Sequence, residues 1–389
     1  MGDPVAPSPQ KGGRGKGARK KGPNRRKSAD AATGGGASRQ SNAKEAPKFS
    51  QENRFGDGGR GGWLGRTAYA ALDLGTNNCR LLIARASNDG FTVVDAFSRV
   101  VRLGEGLATT GKMSEEAMDR AIEALSVCAD KLKRRNVILA RSVATEACRQ
   151  ALNGTQFIER VKQETGIMLD VISPKEEARL AVMGCHALLE PGEGPALIFD
   201  IGGGSTELVL VSTNGIVPEI LDWASVPWGV VSLTESEPLF GEDDAALADT
   251  YSRMRTKVFN AFAEFAARLP VGEGDHRLLG TSGTVTTLAS VYLKLPSYDR
   301  KQIDGLHLPT SAMREISQTL ASLPPAGRSR FPTIGQERSD LVVAGCAILE
   351  TIFDIWPGER LGVADRGIRE GILRALMASD AKRRGRRQP

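Results

Sequence analysis

Two stretches of thirteen residues carry the same chemistry: Ala71-Leu72-Asp73-Leu74-Gly75-Thr76-Asn77-Asn78-Cys79-Arg80-Leu81-Leu82-Ile83 and Ile198-Phe199-Asp200-Ile201-Gly202-Gly203-Gly204-Ser205-Thr206-Glu207-Leu208-Val209-Leu210. In each, an apolar run delivers an Asp, a tight loop of Gly and small polar residues follows, and a second apolar run leads away. Glycine lacks the Cβ that would block a close approach, so backbone N–H groups and short hydroxyl or amide side chains can close on phosphate oxygens. Two such loops from two halves of one chain, facing each other, suit a phosphoanhydride. A plain hairpin needs only a two-residue turn. A dinucleotide-binding loop needs a helix after its glycines, where residues 207–211 read as strand, and the lysine of a P-loop is absent.

The elements that must carry these loops follow from periodicity. Residues 68–74, 79–86 and 91–102 read as three strands in succession, because apolar and β-branched residues dominate and short polar turns separate them. Met118, Ala121, Ile122, Leu125, Ala129 and Leu132 repeat at helical spacing, and Ser114 with Glu115 and Glu116 supplies a start, which predicts a helix over 114–135. A strand at 137–143, short helices, a strand at 169–172 and a helix opening at Pro174 complete the first half. The plan recurs with strands at 196–201, 207–212 and 215–224, a helix near 243–268, and a strand at 277–279 entering Gly280-Thr281-Ser282-Gly283-Thr284. Helices near 310–321, 340–355 and 367–378 close the chain. Spacing alone specifies α/β with two halves.

The two loop phrases resemble the phosphate motifs of the actin/Hsp70/sugar-kinase superfamily, built from duplicated ribonuclease-H-like domains. Within it the chain is most similar to the exopolyphosphatase/guanosine pentaphosphate phosphatase family. Four further stretches agree in order: Arg99-Val100-Val101-Arg102-Leu103-Gly104-Glu105-Gly106-Leu107, Ser173-Pro174-Lys175-Glu176-Glu177-Ala178-Arg179-Leu180, Gly280-Thr281-Ser282-Gly283-Thr284, and Asp365-Arg366-Gly367-Ile368-Arg369-Glu370-Gly371-Ile372-Leu373. The likeness spans residues 68 to 378. It implies two ribonuclease-H-like domains facing a central cleft, over residues 67–181 and 182–380, between basic tails at 1–66 and 381–389. Asn78 stands where the family more usually has Ser.

The resemblance also implies roles. Phosphate would be held by Asp73, Gly75, Thr76 and Asn77 from one loop and by Gly202, Gly203, Gly204, Ser205 and Thr206 from the other. Placed alike before both loops, Asp73 and Asp200 are expected to hold Mg²⁺ together with Glu207, with Asp200 and Glu207 counted in the catalytic set. Ser173 and Glu176 have the spacing of a capping box, and Pro174 suits the first helical position, so Glu176 has a structural explanation. Glu177 has none, and the family places its general base there. Arg102, Arg149, Thr281, Ser282 and Gly283 are expected to touch substrate, with Arg99 an even choice between substrate and solvent. The expected reaction is hydrolysis of the terminal bond of inorganic polyphosphate, with guanosine pentaphosphate as a second substrate. Two other readings remain at this stage: a kinase or ATPase binding nucleotide at Gly280–Thr284, or a non-catalytic sensor of polyphosphate or guanosine polyphosphates.

Composition bounds the rest. The formal charge of +6 hides an asymmetry: residues 1–66 hold 15 Lys/Arg against 5 Asp/Glu, whereas residues 67–380 hold 32 basic and 41 acidic residues, a net −9. The first 66 residues lack an apolar run and read as a disordered arm that binds polyphosphate or RNA. Nothing resembles a signal peptide, and nowhere do 18 apolar residues run together, so a cytoplasmic protein without membrane contact is expected, as a homodimer. Five scattered cysteines read as buried thiols. The three histidines, His186, His276 and His307, are isolated, and no His-Asp doublet marks the metal-phosphohydrolase-like domain of longer family members.

Overall fold

A computed structural model of the chain describes residues 53–54, 67–88, 90–213, 218–269 and 276–385. Most of the expected tail at 1–66 and the end of that at 381–389 lie outside the described residues. The first half comprises β1 (Asn53–Arg54), β2 (Ala68–Leu74), β3 (Asn78–Ser87), β4 (Gly90–Val100), α1 (Leu107–Thr110), α2 (Glu115–Arg134), β5 (Val137–Ala144), α3 (Glu146–Gln150), α4 (Gly154–Thr165), β6 (Asp170–Val171) and α5 (Pro174–Cys185). Strands β2, β3 and β4 form an antiparallel meander, and β5 lies parallel to β2 on its other side. Strands β1 and β6 both pair with β5. Asn53 and Arg54, expected in the tail, are thus tied to the sheet edge.

The second half repeats the arrangement with β7 (Pro195–Ile201), β8 (Thr206–Ser212), β9 (Glu219–Val226), α6 (Val230–Ser236), α7 (Asp244–Arg268), β10 (Arg277–Thr281) and α8 (Gly283–Tyr292). It is extended by α9 (Arg300–Ile303), β11 (His307–Pro309), α10 (Thr310–Ala321), α11 (Pro325–Arg328), α12 (Gly335–Arg338), α13 (Val342–Ile355), β12 (Arg360–Ala364) and α14 (Ile368–Gly385). Its sheet has the order β11-β12-β10-β7-β8-β9, so β10 takes the place that β5 has beside β2. The ribonuclease-H-like plan is met twice. Neither β11 nor β12 was expected, and the last helix continues from the expected 378 to Gly385.

The layers explain how two halves share one site. Helix α2 buries Met118, Ala121, Leu125 and Leu132 against one face of the first sheet, and Ser114 Oγ accepts from Ala117 N at its start. The other face packs on α14 through Ile368, Ile372, Leu373 and Leu376. Helix α5 lies between the sheets: Leu180 and Ala181 join the cluster under the first sheet, while Ala178, Val182 and Cys185 join one under the second. Helices α5 and α14 cross at backbone contact. A Cβ on Gly184 would lie 2.0 Å from the Gly367 carbonyl oxygen, and one on Gly371 would lie 2.0 Å from that of Leu180. All five cysteines are buried free thiols. No helix among the described residues is long and apolar enough to cross a membrane.

Candidate active site

Strands β2 and β7 each carry their Asp one residue before the strand's end and turn back through a glycine loop, and both loops open into one cavity of about 130 Å³. Each loop is braced by a later segment of its own half. Val101 N and Arg102 N donate to the Asn77 carbonyl at 2.9 and 3.1 Å, and Gly104 N to that of Thr76 at 2.9 Å. In the second half Val230 N donates to Gly202 O at 2.9 Å and Val231 N to Gly203 O at 2.8 Å. Glycine is required at both braces, since a Cβ on Gly104 would lie 2.2 Å from Thr76 Cγ2 and one on Gly229 2.5 Å from Gly203 O. The loops also touch each other. A Cβ on Gly203 would lie 3.0 Å from Thr76 Cβ and 3.1 Å from Asn77 N, closer than real Cβ contacts normally approach. Gly203→Val should therefore push the loops apart and lower turnover at least a hundredfold with the fold retained, checked by initial rates beside circular dichroism; near-normal rates would mean the loops need not meet.

Five acids line the cavity, and four of them, Asp73, Asp200, Glu177 and Glu207, shape its chemistry. Burial, reinforced by the Glu207 charge, lifts Asp200 to about 8. Burial also raises Asp73 and, together with Glu207, raises Glu177 well above the carboxylate range, with Arg149 opposing. Glu207 is raised by burial too, against the pull of two hydroxyls: Ser205 Oγ and Ser225 Oγ donate to its Oε1 at 2.7 and 2.9 Å. Asp73 Oδ1 is buried without a hydrogen-bond partner. Carboxylates so crowded and desolvated favour a cation or a shared proton.

Glu176 and Glu177 part company at the start of α5. Ser173 Oγ accepts from Glu176 N at 3.2 Å, which is half of the expected capping box. The Glu176 carboxylate does not reach back to Ser173; it accepts from Arg141 at 2.9 Å and from Arg179 at 2.7 and 2.9 Å. The box thus gives way to an ion-pair cluster, because two guanidinium groups offer stronger, charge-assisted bonds than one backbone N–H. Glu176→Gln should lower the melting temperature by several degrees and leave turnover within a few-fold of wild type; unchanged melting with lost activity would reverse this assignment. Glu177 points its carboxylate into the cavity region, where Arg149 Nη1 donates to Oε2 at 2.7 Å.

Several side chains sit elsewhere than their sequence suggests. Arg149 does not line the cavity; it is clamped between Glu177, Glu146 and the Ile172 carbonyl. Arg102 leaves its own half and donates to the Glu337 carbonyl at 3.2 Å, with Asp340 3.8 Å away. Arg99 lies on the surface, 3.9 Å from Glu123. Thr206 is fully buried and gives its hydroxyl to Trp228 O at 2.7 Å, and Thr281 gives its own to Arg366 O at 2.7 Å. With Ser205 bonded to Glu207, the hydroxyls after Gly204 serve the protein's own acceptors. Gly75, Thr76, Asn77, Gly202, Gly203, Gly204, Ser205, Ser282 and Gly283 do line the cavity. Ser282 holds φ at 140° and its Oγ is buried without a partner, local strain of the kind found at binding sites.

Other lining groups were missed. Arg80 on β3 and Arg338 on α12 approach Gly283 from opposite halves, their guanidinium nitrogens 3.9 and 3.8 Å from where its Cβ would be. Arg80 sits at an alternating polar strand position, indistinguishable in sequence from a solvated residue. Glu146 also lines the cavity, and Leu341, Val342 and Ile368 give it an apolar side. Gly106 N donates to the Glu235 carboxylate at 2.8 Å, so the halves meet at the rim as well.

Comparison with known proteins follows the same outline. The model of the Ppx/GppA phosphatase family matches residues 82–380. The chain belongs to this family. Among its Ppx/GppA relatives, exopolyphosphatase 2 of Mycobacterium tuberculosis is 30% identical over 323 residues, covering 80% of this chain and 98% of that protein. The crystal structure of an exopolyphosphatase from Cytophaga hutchinsonii superposes with a TM-score of 0.73 at 25% identity, covering 80% and 98% of the two chains. A Ppx/GppA family member from Aquifex aeolicus gives a TM-score of 0.66 at 28% identity, covering 81% and 98%.

Proposed function

We propose that this chain is an exopolyphosphatase, a phosphoanhydride hydrolase releasing orthophosphate from the end of inorganic polyphosphate. The observation that carries this is the placement of Glu177 beside two glycine loops that touch across a cavity lined by Asp73, Asp200 and Glu207. The terminal phosphoryl would rest between the loops. With the hydroxyls of Ser205 and Thr206 committed elsewhere, its oxygens fall to backbone N–H groups of Thr76, Asn77, Gly203 and Gly204. Glu177 then orients and deprotonates the attacking water, and Arg149 holds one carboxylate oxygen so that the other faces the water. Arg80 and Arg338 would take the leaving chain.

Asp73, Asp200 and Glu207 suit Mg²⁺, which would supply charge neutralisation on the phosphates. The unpaired Asp73 Oδ1 fits a cation nearby. Among the described residues no group of three His, Cys, Asp or Glu side chains is set to hold a metal ion; Asp200 with one of Asp73 or Glu207 would hold it, with water and substrate oxygens completing the shell. Guanosine pentaphosphate ends in the same bond, and Leu341 and Val342 beside Arg338 could accept its nucleoside, which supports a second substrate.

The direct test is orthophosphate release from polyphosphate and guanosine pentaphosphate, with and without Mg²⁺ and with no added nucleotide. Release from polyphosphate that needs Mg²⁺ is expected; release only after ADP or ATP is added would favour a kinase. The basic arm at 1–66 gives a second expectation. A flexible cationic segment on a body of net −9 can raise the local concentration of long polyanions. Deleting residues 1–66 should raise KM for long chains and leave very short chains unchanged. Equal kinetics at low salt would leave RNA as the arm's partner.

A further inference from the structure

A second feature of the first half concerns charge, at the end of the sheet away from the cavity. Strands β2 and β5 run parallel and finish at the active site on Leu74 and Ala144, so their first residues mark the opposite pole. There Ala68 is paired with Val137 on one side and with Arg85 on the other. The end of α2 and its cap, Lys131-Leu132-Lys133-Arg134-Arg135, lead through Asn136 into Val137, and α14 ends by Thr67, where Arg384 Nη2 donates to Thr67 Oγ1 at 3.2 Å. Arg85, Lys133, Arg134, Arg135, Lys382 and Arg384 therefore lie at one end of the first sheet, the α2 and α14 residues on its two faces, all of them exposed.

Two nearby acids are already engaged. Asp95 accepts from Lys131 and Arg135, each at 2.8 Å, and Asp380 accepts from Tyr69 at 2.7 Å and pairs with Arg384 at 2.8 Å. Cations in a last helical turn complement the helix dipole, which accounts for Lys133 or Lys382 singly. It does not account for Arg85 on a strand, nor for two basic helix ends and a strand at the same end of the sheet on a body whose net charge is −9.

We propose that this pole is a second binding surface for inorganic polyphosphate, an anchor for the far part of a chain whose end lies in the active site. The proposal rests on the activity inferred above. Its chemistry favours bare phosphate over nucleic acid: single-stranded nucleic acid is held by stacking on aromatic faces as well as by charge. The exposed large apolar residues on these pole-side elements are Val93 and Ile138, whereas Phe240, Phe259, Tyr292 and Tyr298 all belong to the second half. The length of β2 alone separates pole and cavity by about 20 Å, so only chains long enough to span that distance gain from both contacts. Polyphosphate-chain length thus becomes a determinant of affinity without any change at the reacting phosphate.

The experiment uses the full chain and the triple variant Lys133→Glu/Arg134→Glu/Lys382→Glu, none of whose residues lines the cavity. Equilibrium binding of long polyphosphate is measured in chelator, where turnover is absent, across a salt series, and kcat/KM is measured separately on tripolyphosphate. Expected is a rise of about tenfold in the long-chain Kd at low salt and a shallower salt slope, with tripolyphosphate kinetics unchanged. The charge-preserving variant Lys133→Arg/Lys382→Arg should bind as wild type, which separates lost charge from damaged structure. An unchanged long-chain Kd and slope in the Glu variant would overturn the proposal. Transfer RNA or duplex DNA displacing long polyphosphate at equal phosphate content, with that advantage lost in the Glu variant, would overturn it in favour of nucleic acid. If wild type released no orthophosphate from any chain, the activity reading would fail while the binding measurement stood.

Discussion

Glu177→Gln is expected to lower kcat at least a hundredfold, about 2.7 kcal/mol of transition-state stabilisation, with KM changed little. The amide preserves shape and can still accept from Arg149, but it cannot take a proton from water. The pH profile carries a sharper signature. Burial and the neighbouring Glu207 raise Glu177 well above its usual range, against Arg149. A base must be ionised to act, so the wild-type rate should fall as pH drops through this elevated value and recover above it. That acid limb should disappear from the residual activity of the Gln variant. Because Glu177, Glu207 and Asp200 influence one another, the limb reports the group rather than one carboxyl. Retained activity with the same limb in Glu177→Gln would remove Glu177 from proton transfer.

Asp200→Asn is expected to abolish turnover and yet stabilise the metal-free protein. In the unfolded chain Asp200 titrates near 3.8, whereas in the folded, metal-free protein burial and Glu207 hold it at about 8. The native state therefore binds this proton more tightly than the unfolded state. Its contribution to stability is greatest below pH 4 and is lost as pH rises toward 8. Asn cannot ionise, so the variant escapes this loss, and its advantage should grow across that interval to the order of a few kcal/mol. Denaturant melts of both proteins in chelator at pH 5 and pH 8 would measure it. Added Mg²⁺ should stabilise wild type more than the variant. Full activity of Asp200→Asn in excess chelator would take the metal out of the mechanism.

Much of this site could be read from the chain because each loop is local: strand, Asp, glycines and strand lie within thirteen residues, and their duplication set the two-half plan. The meanders were legible for the same reason. The strand β12 was not, since Arg360-Leu361-Gly362-Val363-Ala364 is short, holds a glycine, and becomes a strand by parallel pairing with the distant β10. The ionic partners were the least legible. Arg149 follows Glu146 within one helical turn, but its bond to Glu177 crosses 28 positions, and only the fold fixes which acid it serves. Thr206 and Ser205 have the residue types of a phosphate grip, yet Trp228 O and Glu207 claim their hydroxyls. Composition tells which groups can bond, whereas competition among neighbours decides which do.

The contact between Gly203 and the Thr76–Asn77 loop has one more consequence. Between Gly203 and Thr76–Asn77 the loops are too close to let a strand of linked phosphates pass at that point. A polymer bound between these loops would therefore enter by its tip and stop against that contact, in keeping with removal of terminal phosphate. The enzyme would then measure position from the free terminus, and the length of each piece removed would be set by the distance from that contact to Glu177.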